Sequence, residues 1–353
     1  MTRALRPSAR RLACRAALLA SLALPLAACG ANPTGTTVAT PAISATPAAP
    51  ATPAAPATPA TPAAPAASAP PTRAAHPVSL PGLSDTLYYT DGDRAVRLGA
   101  HGPVEVLAAH AYTANVSPDG RLLAYIDSAN AVHVRRSDGS GDRVVVRDSI
   151  EAGFEPAWGP DSRRLLVTTV VSGRPALGVL DTATDRYSPL AGQPEAMHPM
   201  WSGDGRHIGF NTGTCRVGVA DADGRNVRLV PQLGDPDPAR NPLRRRSCDP
   251  FSLSADGSLM ALALHTGDMG DGDAGRGLVA DTVIDTRTGA SVALPVTGQV
   301  RAVFFRSDGT MLVRCADAGH VTLTVLSATR KVLTRVAEPA SVAGMRMLAD
   351  VTR

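Results

Sequence analysis

The run Val116-Ser117-Pro118-Asp119-Gly120-Arg121-Leu122-Leu123-Ala124-Tyr125 reads as a short β segment, a tight turn and a second β segment. It returns as Trp158-Gly159-Pro160-Asp161-Ser162, as Trp201-Ser202-Gly203-Asp204-Gly205, as Leu253-Ser254-Ala255-Asp256-Gly257 and as Phe305-Arg306-Ser307-Asp308-Gly309. The five turn aspartates are 42, 43, 52 and 52 residues apart. A regular period of this size with strand-turn-strand content belongs to a propeller or a solenoid.

The columns of the repeat follow strand geometry. Three residues before the Asp the side chain is always apolar: Val116, Trp158, Trp201, Leu253 and Phe305. Four after it is apolar again, and six after it reads Tyr125, Val167, Phe210, Leu262 and then an exception, Arg314. Spacing by two keeps one face of a strand buried. The Asp is suited to bond turn amides, and the Gly that follows accepts a positive φ. The turn aspartates are therefore expected to be structural.

From Val78 to Arg353 short strands alternate with Gly, Asp, Asn and Ser turns, and helical periodicity is almost absent. The first unit, Thr86 to Leu107, has three strands and lacks the innermost one. The C-terminus carries a surplus apolar segment, Met345 to Val351. A late strand that completes the first blade would remove an open edge. The expected fold is all-β: a six-bladed propeller of four-stranded antiparallel blades over residues 78–353. Met345–Val351 is expected to close it, with Val78-Ser79-Leu80 as the competing strand.

Before this domain, Arg3, Arg6, Arg10, Arg11 and Arg15 precede an apolar run, Ala16 to Leu26, that is too short for a comfortable membrane span. The run ends in Leu26-Ala27-Ala28-Cys29-Gly30. This order resembles the lipobox of bacterial lipoproteins, which implies a signal peptide over 1–28, cleavage before Cys29 and lipid on its thiol. Residues 29–77 then form an Ala/Pro/Thr-rich linker, uncharged until Arg73, that is expected to be disordered. As polyproline II at about 3.1 Å per residue it would reach on the order of 100 Å. The formal charge is +4 overall, and residues 1–28 hold five Arg and no acid, so the mature chain is near −1. That gives no case for nucleic-acid binding. Abundant Arg and Ala with a single Lys, Lys331, point to a GC-rich genome such as an actinobacterium's.

The units resemble the WD-like repeats of TolB-type β-propellers, near P-x-W-S-P-D-G. Pro156-Ala157-Trp158-Gly159-Pro160-Asp161 and Pro199-Met200-Trp201-Ser202-Gly203-Asp204-Gly205 match best. The resemblance implies the fold. It says little of function, since one propeller scaffold serves binding proteins, lyases and peptidase accessory domains.

No G-x-S-x-G, H-E-x-x-H or phosphate loop is present, and the eight His are scattered. Three Cys remain beyond Cys14 and Cys29. Cys215 and Cys248 are expected on one rim in adjacent blades, and a Cys215–Cys248 disulfide is permitted in an exported protein, with a Cys315 pairing as the alternative. The residue six before each turn Asp should sit near the channel mouth: Thr113, Glu155, His198, Pro250 and Ala302, with Asp249 and Arg301 one residue earlier. Glu155, His198, Asp249 and Arg301 are the candidate binding residues. An insertion carries Arg244-Arg245-Arg246. Another carries Asp268, Asp271 and Asp273 without calcium-loop spacing.

The expected function is a monomeric, non-catalytic binding module without cofactor or metal. It would be tethered to the membrane through Cys29 and meet an envelope protein partner on the extracytoplasmic face. The alternatives are a polysaccharide lyase or hydrolase, against which the 3% aromatic content speaks, and a small-ligand or metal sensor.

Overall fold

The computed structural model describes residues 80, 82–99, 101–150, 155–192, 196–267 and 280–352. The expected signal peptide, Cys29, the expected linker and the loop aspartates Asp268, Asp271 and Asp273 lie outside the described residues. Among the described residues, twenty-four strands form six four-stranded antiparallel sheets. The first blade holds β1 (Thr86–Thr90), β2 (Ala95–Gly99) and β3 (Gly102–Leu107). The second holds β4 (Asn115–Val116), β5 (Leu122–Ile126), β6 (Val132–Arg136) and β7 (Arg143–Val146). The third holds β8 (Ala157–Trp158), β9 (Arg164–Val171), β10 (Arg174–Asp181) and β11 (Arg186–Pro189). The fourth holds β12 (Met197–Trp201), β13 (His207–Asn211), β14 (Val217–Asp221) and β15 (Arg228–Leu229). The fifth holds β16 (Pro250–Leu253), β17 (Leu259–Leu262), β18 (Thr282–Asp285) and β19 (Ser291–Val292). The sixth holds β20 (Gln299–Phe305), β21 (Met311–Asp317), β22 (His320–Leu326) and β23 (Val332–Ala337). A single helical turn, α1 (Ala340–Ala343), then leads into β24 (Arg346–Val351).

β24 pairs with β1, from Thr86 opposite Val351 to Thr90 opposite Arg346. The first sheet therefore runs β24-β1-β2-β3, and the last strand of the chain closes the ring. The surplus C-terminal strand is the innermost strand that the first unit lacked.

Six apolar clusters fill the six blade-to-blade junctions, because both faces of each sheet are covered. Leu165 packs toward the second blade with Ile126 and Val134, while its neighbour Leu166 packs toward the fourth with Ile208 and Phe210. Strands buried on both faces read as near-continuous apolar runs, as in Leu165-Leu166-Val167. At about 25 cal/mol per Å² this burial is the main stabilising term.

The turn Asp is a cap, as its column suggested. Asp119 Oδ1 accepts the Ser117 hydroxyl at 2.6 Å and the Arg121 amide at 3.0 Å, and Ser117 Oγ accepts the Leu122 amide at 3.0 Å. Ser202 and Asp204 repeat this in the fourth blade, and Ser254 and Asp256 in the fifth. Burial pushes the Asp256 carboxyl up, but the bonds from Ser254 and Ser258 overcome it and hold the group below its ordinary value. Gly120 sits at φ +69°, in the left-handed region where a side chain is strained, and Ser162 adopts φ +57° at the equivalent place.

Candidate binding site at the channel mouth

In the second to sixth blades the inner strand starts at one end of the ring and finishes at its Asp turn at the other. Between these ends runs a channel of about 260 Å³, lined by Val116, Trp158, Trp201, Leu253, Phe305 and Ala349 from the six blades. A smaller cavity of about 60 Å³ lies at the mouth end, with Asn115, Glu155, His198 and Phe251 in its wall.

The structure brings Glu155 and His198 to this one cavity. Glu155 Oε1 accepts a hydrogen bond from Arg346 Nη1 at 2.5 Å, and both side chains are largely buried. Arg346 Nη2 also donates to the Tyr112 carbonyl at 3.0 Å. Arg346 thus carries the closing strand across to the second and third blades. His198 is buried at φ +48° inside a bulge of β12, between the paired residues Met197 and Met200. The bulge turns its ring inward, a use common beside binding sites. Its Nδ1 lies 3.3 Å from Asp249 Oδ1. Asp249 is buried behind the His rather than in the cavity wall, and its Oδ1 has no hydrogen bond of good geometry.

Arg301 does not join them. It is the bulged residue between Val300 and Ala302 of β20, is exposed, and lines neither cavity. Thr113 is buried and ties its own blade together, donating to the Ile126 carbonyl and accepting the Ile126 amide, both at 2.9 Å. Cys215 and Cys248 are joined by a disulfide, with Cα atoms 4.3 Å apart. It fastens the turn between β13 and β14 to the residue before Asp249. Asn211 donates to the Cys248 carbonyl in the same place. Cys315 keeps a buried free thiol, pushed up by desolvation. Arg245 reaches Gly289 O at 2.9 Å and Ser291 Oγ at 3.0 Å. The Arg244–Arg246 insertion is thereby laid against the fifth blade. Among the described residues no group of three or more His, Cys, Asp or Glu is placed to hold a metal, and no helix is long and apolar enough to cross a membrane.

At the turn end, the position occupied by Ser117, Gly159, Ser202 and Ser254 in other blades is Arg306. Its Nε donates to Asp350 Oδ2 at 2.6 Å and its Nη2 to Asp85 Oδ2 at 2.5 Å, all three side chains being buried. Burial pushes the Asp350 carboxyl up, to about 7, although Arg306 pulls it down. Arg314, the exception in the apolar column, is also buried. It meets Glu338 through Nε–Oε1 at 2.9 Å and Nη2–Oε2 at 2.7 Å, and it donates to the carbonyls of Ala343 and Met345. Tyr89 donates to Glu338 Oε1 at 3.0 Å, and the Arg314 guanidinium lies 5.8 Å from the Tyr89 ring centroid. Burial pushes the Glu338 carboxyl up against the bonds from Arg314.

Sequence reasoning missed Arg346, Arg306, Asp85 and Asp350. Arg306 had a readable signal, an Arg in a column of small residues. Arg346 had none, because β24 ends with the chain and has no turn Asp to align it.

No family model matches the chain. A Tol-Pal system protein TolB of Anaeromyxobacter dehalogenans strain 2CP-C is 33% identical over 96 residues, 26% of this chain and 22% of that protein. TolB of Anaeromyxobacter sp. strain K is 32% identical over the same length. The chain thus matches about a fifth of the length of these relatives. Among solved structures, TolB from Acinetobacter baumannii gives a TM-score of 0.45 at 15% identity, covering 72% of this chain and 63% of that one. A putative TolB from Agrobacterium tumefaciens gives 0.45 at 20% identity, covering 61% and 78%. An oligogalacturonate lyase in complex with manganese gives 0.45 at 15%, covering 72% and 73%.

Proposed function

We propose that the mouth end of this TolB-like propeller docks a protein partner of the cell envelope, without catalysis, and that lipid on Cys29 holds the monomer to the membrane. The carrying observation is the pairing at the mouth. Glu155, held by Arg346, and His198, backed by Asp249, line one cavity, and Met197, next to His198, and Tyr112, whose carbonyl binds Arg346, are exposed at 37% and 41%. A cavity of about 60 Å³ is far below the 300–1,000 Å³ usual for small-molecule sites. It has room for one side chain of a partner. Aromatic and Met side chains beside polar groups are what protein interfaces enrich. The partial likeness to a Tol-Pal system protein supports an envelope partner in particular.

The test is crosslinking in the native envelope followed by mass spectrometry. Wild-type protein runs beside a Met197→Asp, Tyr112→Ala variant whose folding is checked by circular dichroism. A reproducible partner lost in the variant is expected. A partner captured equally by both proteins, or none above background with either, overturns the reading.

A further inference from the structure

The turn end of the channel holds an unbalanced cluster. Asp85 and Asp350 are two carboxyls, 4% and 0% exposed at their side chains, sharing the single guanidinium of Arg306. Both acids reach that guanidinium within 2.6 Å, and Asp350 Oδ1 is buried with no hydrogen-bond partner. Two ionised carboxylates in contact repel, and burial adds to the cost of the second charge. Aspartic-protease dyads hold one proton between two acids for the same reason. Tyr89 faces Asp350 from β1, and Asp308, on the Arg306 turn, adds a further negative charge near Asp85. Arg314 and Glu338 neutralise each other. β4, on the other side of β24, brings Asn115 and Val116, neither of which titrates.

The position matters more than the chemistry alone. Asp350 is on the closing strand, Asp85 immediately precedes β1, and Arg306 follows β20. The cluster therefore joins the sixth blade to both chain ends of the first.

We propose that Asp85, Asp350 and Arg306 form a proton-held latch on the closing strand: one proton shared by the two carboxyls keeps β24 docked, and its release to solvent as the pH rises loosens the ring at this seam. In the unfolded chain an Asp titrates near 3.9, so between about pH 5 and the folded value near 7 the folded state holds up to one proton more than the unfolded state. Stability from the latch is therefore present in mild acid. It falls as the pH rises toward the folded value near 7 and is constant beyond it.

The test is denaturant unfolding of the intact protein from pH 5 to 8.5, for wild type, Asp350→Asn and Asp85→Asn. Asn supplies a permanent donor where the proton would sit. Relative to either variant, the wild-type unfolding constant should rise about tenfold per pH unit between about pH 5 and 6.5 and level off above 7.5. Taking differences removes the histidines common to all three proteins. A wild-type-to-variant difference that is flat with pH overturns the proposal. If neither variant folds, limited proteolysis of wild type decides, with rates normalised to an unfolded reference. Cleavage within 340–352 should be several-fold faster at pH 8.5 than at pH 6, and equal rates overturn the latch.

Discussion

Two junctions of one ring are built in opposite ways. Between the third and fourth blades, Leu166, Leu177, Trp201, Ile208 and Phe210 make an apolar contact. Between the sixth and first, an apolar cluster of Leu87, Tyr89, Leu312 and Leu323 is flanked by Arg306 with two acids and by Arg314 with one. The third and fourth blades follow one another in the chain, so their order needs no further specification. The seam must seat a strand that arrives last, in the right register, beside a strand from the far end of the domain. Apolar contact is non-directional and tolerates a slip. Buried charges do not, since a misplaced β24 would take Asp350 from Arg306 and the Met345 carbonyl from Arg314. The difference teaches that the repeat is broken where the ring is closed.

The comparison breaks first at Arg314. Arg314→Leu leaves Glu338 buried and uncompensated and should cost about 3–5 kcal/mol in urea unfolding. Arg314→Leu with Glu338→Leu should recover most of that, because well-packed apolar replacement of a buried ion pair is often neutral. A double variant as weak as the single one would show that the seam needs more than charge balance. At the apolar junction, Leu166→Met should cost less than about 1.5 kcal/mol, as volume-conserving swaps do. A loss as large as that of Arg314→Leu would erase the contrast. Ser254→Ala, which removes one link of a turn cap, should cost about 1 kcal/mol. Arg301→Ala should stay within about 0.5 kcal/mol, since the side chain is exposed at its bulge.

Much of this architecture is legible from residue spacing. The Asp-Gly turns, the apolar columns and the surplus last strand are local or periodic, and each has a geometric cause. The mouth is legible in part. Counting six back from the turn Asp finds Glu155 and His198, but reading one residue further back adds Arg301, because a count cannot see the bulge at which it stands exposed. Arg314 stands out as a charge in an apolar column. Its acid, Glu338, lies in a connecting segment with no periodicity, so the pair is visible only once the fold brings the two together. Asp85 and Asp350 are farther apart still, at opposite ends of the domain. Long-range ion pairs leave no spacing to read.

The central claim is that ions at the seam hold the last strand in the ring. Amide hydrogen exchange in the Arg314→Leu protein tests it most directly. The account predicts that protection falls selectively at Arg346–Val351 and Thr86–Thr90, while the strands of the third and fourth blades keep wild-type protection. An equal loss in all six blades, or no loss at Arg346–Val351, would contradict it.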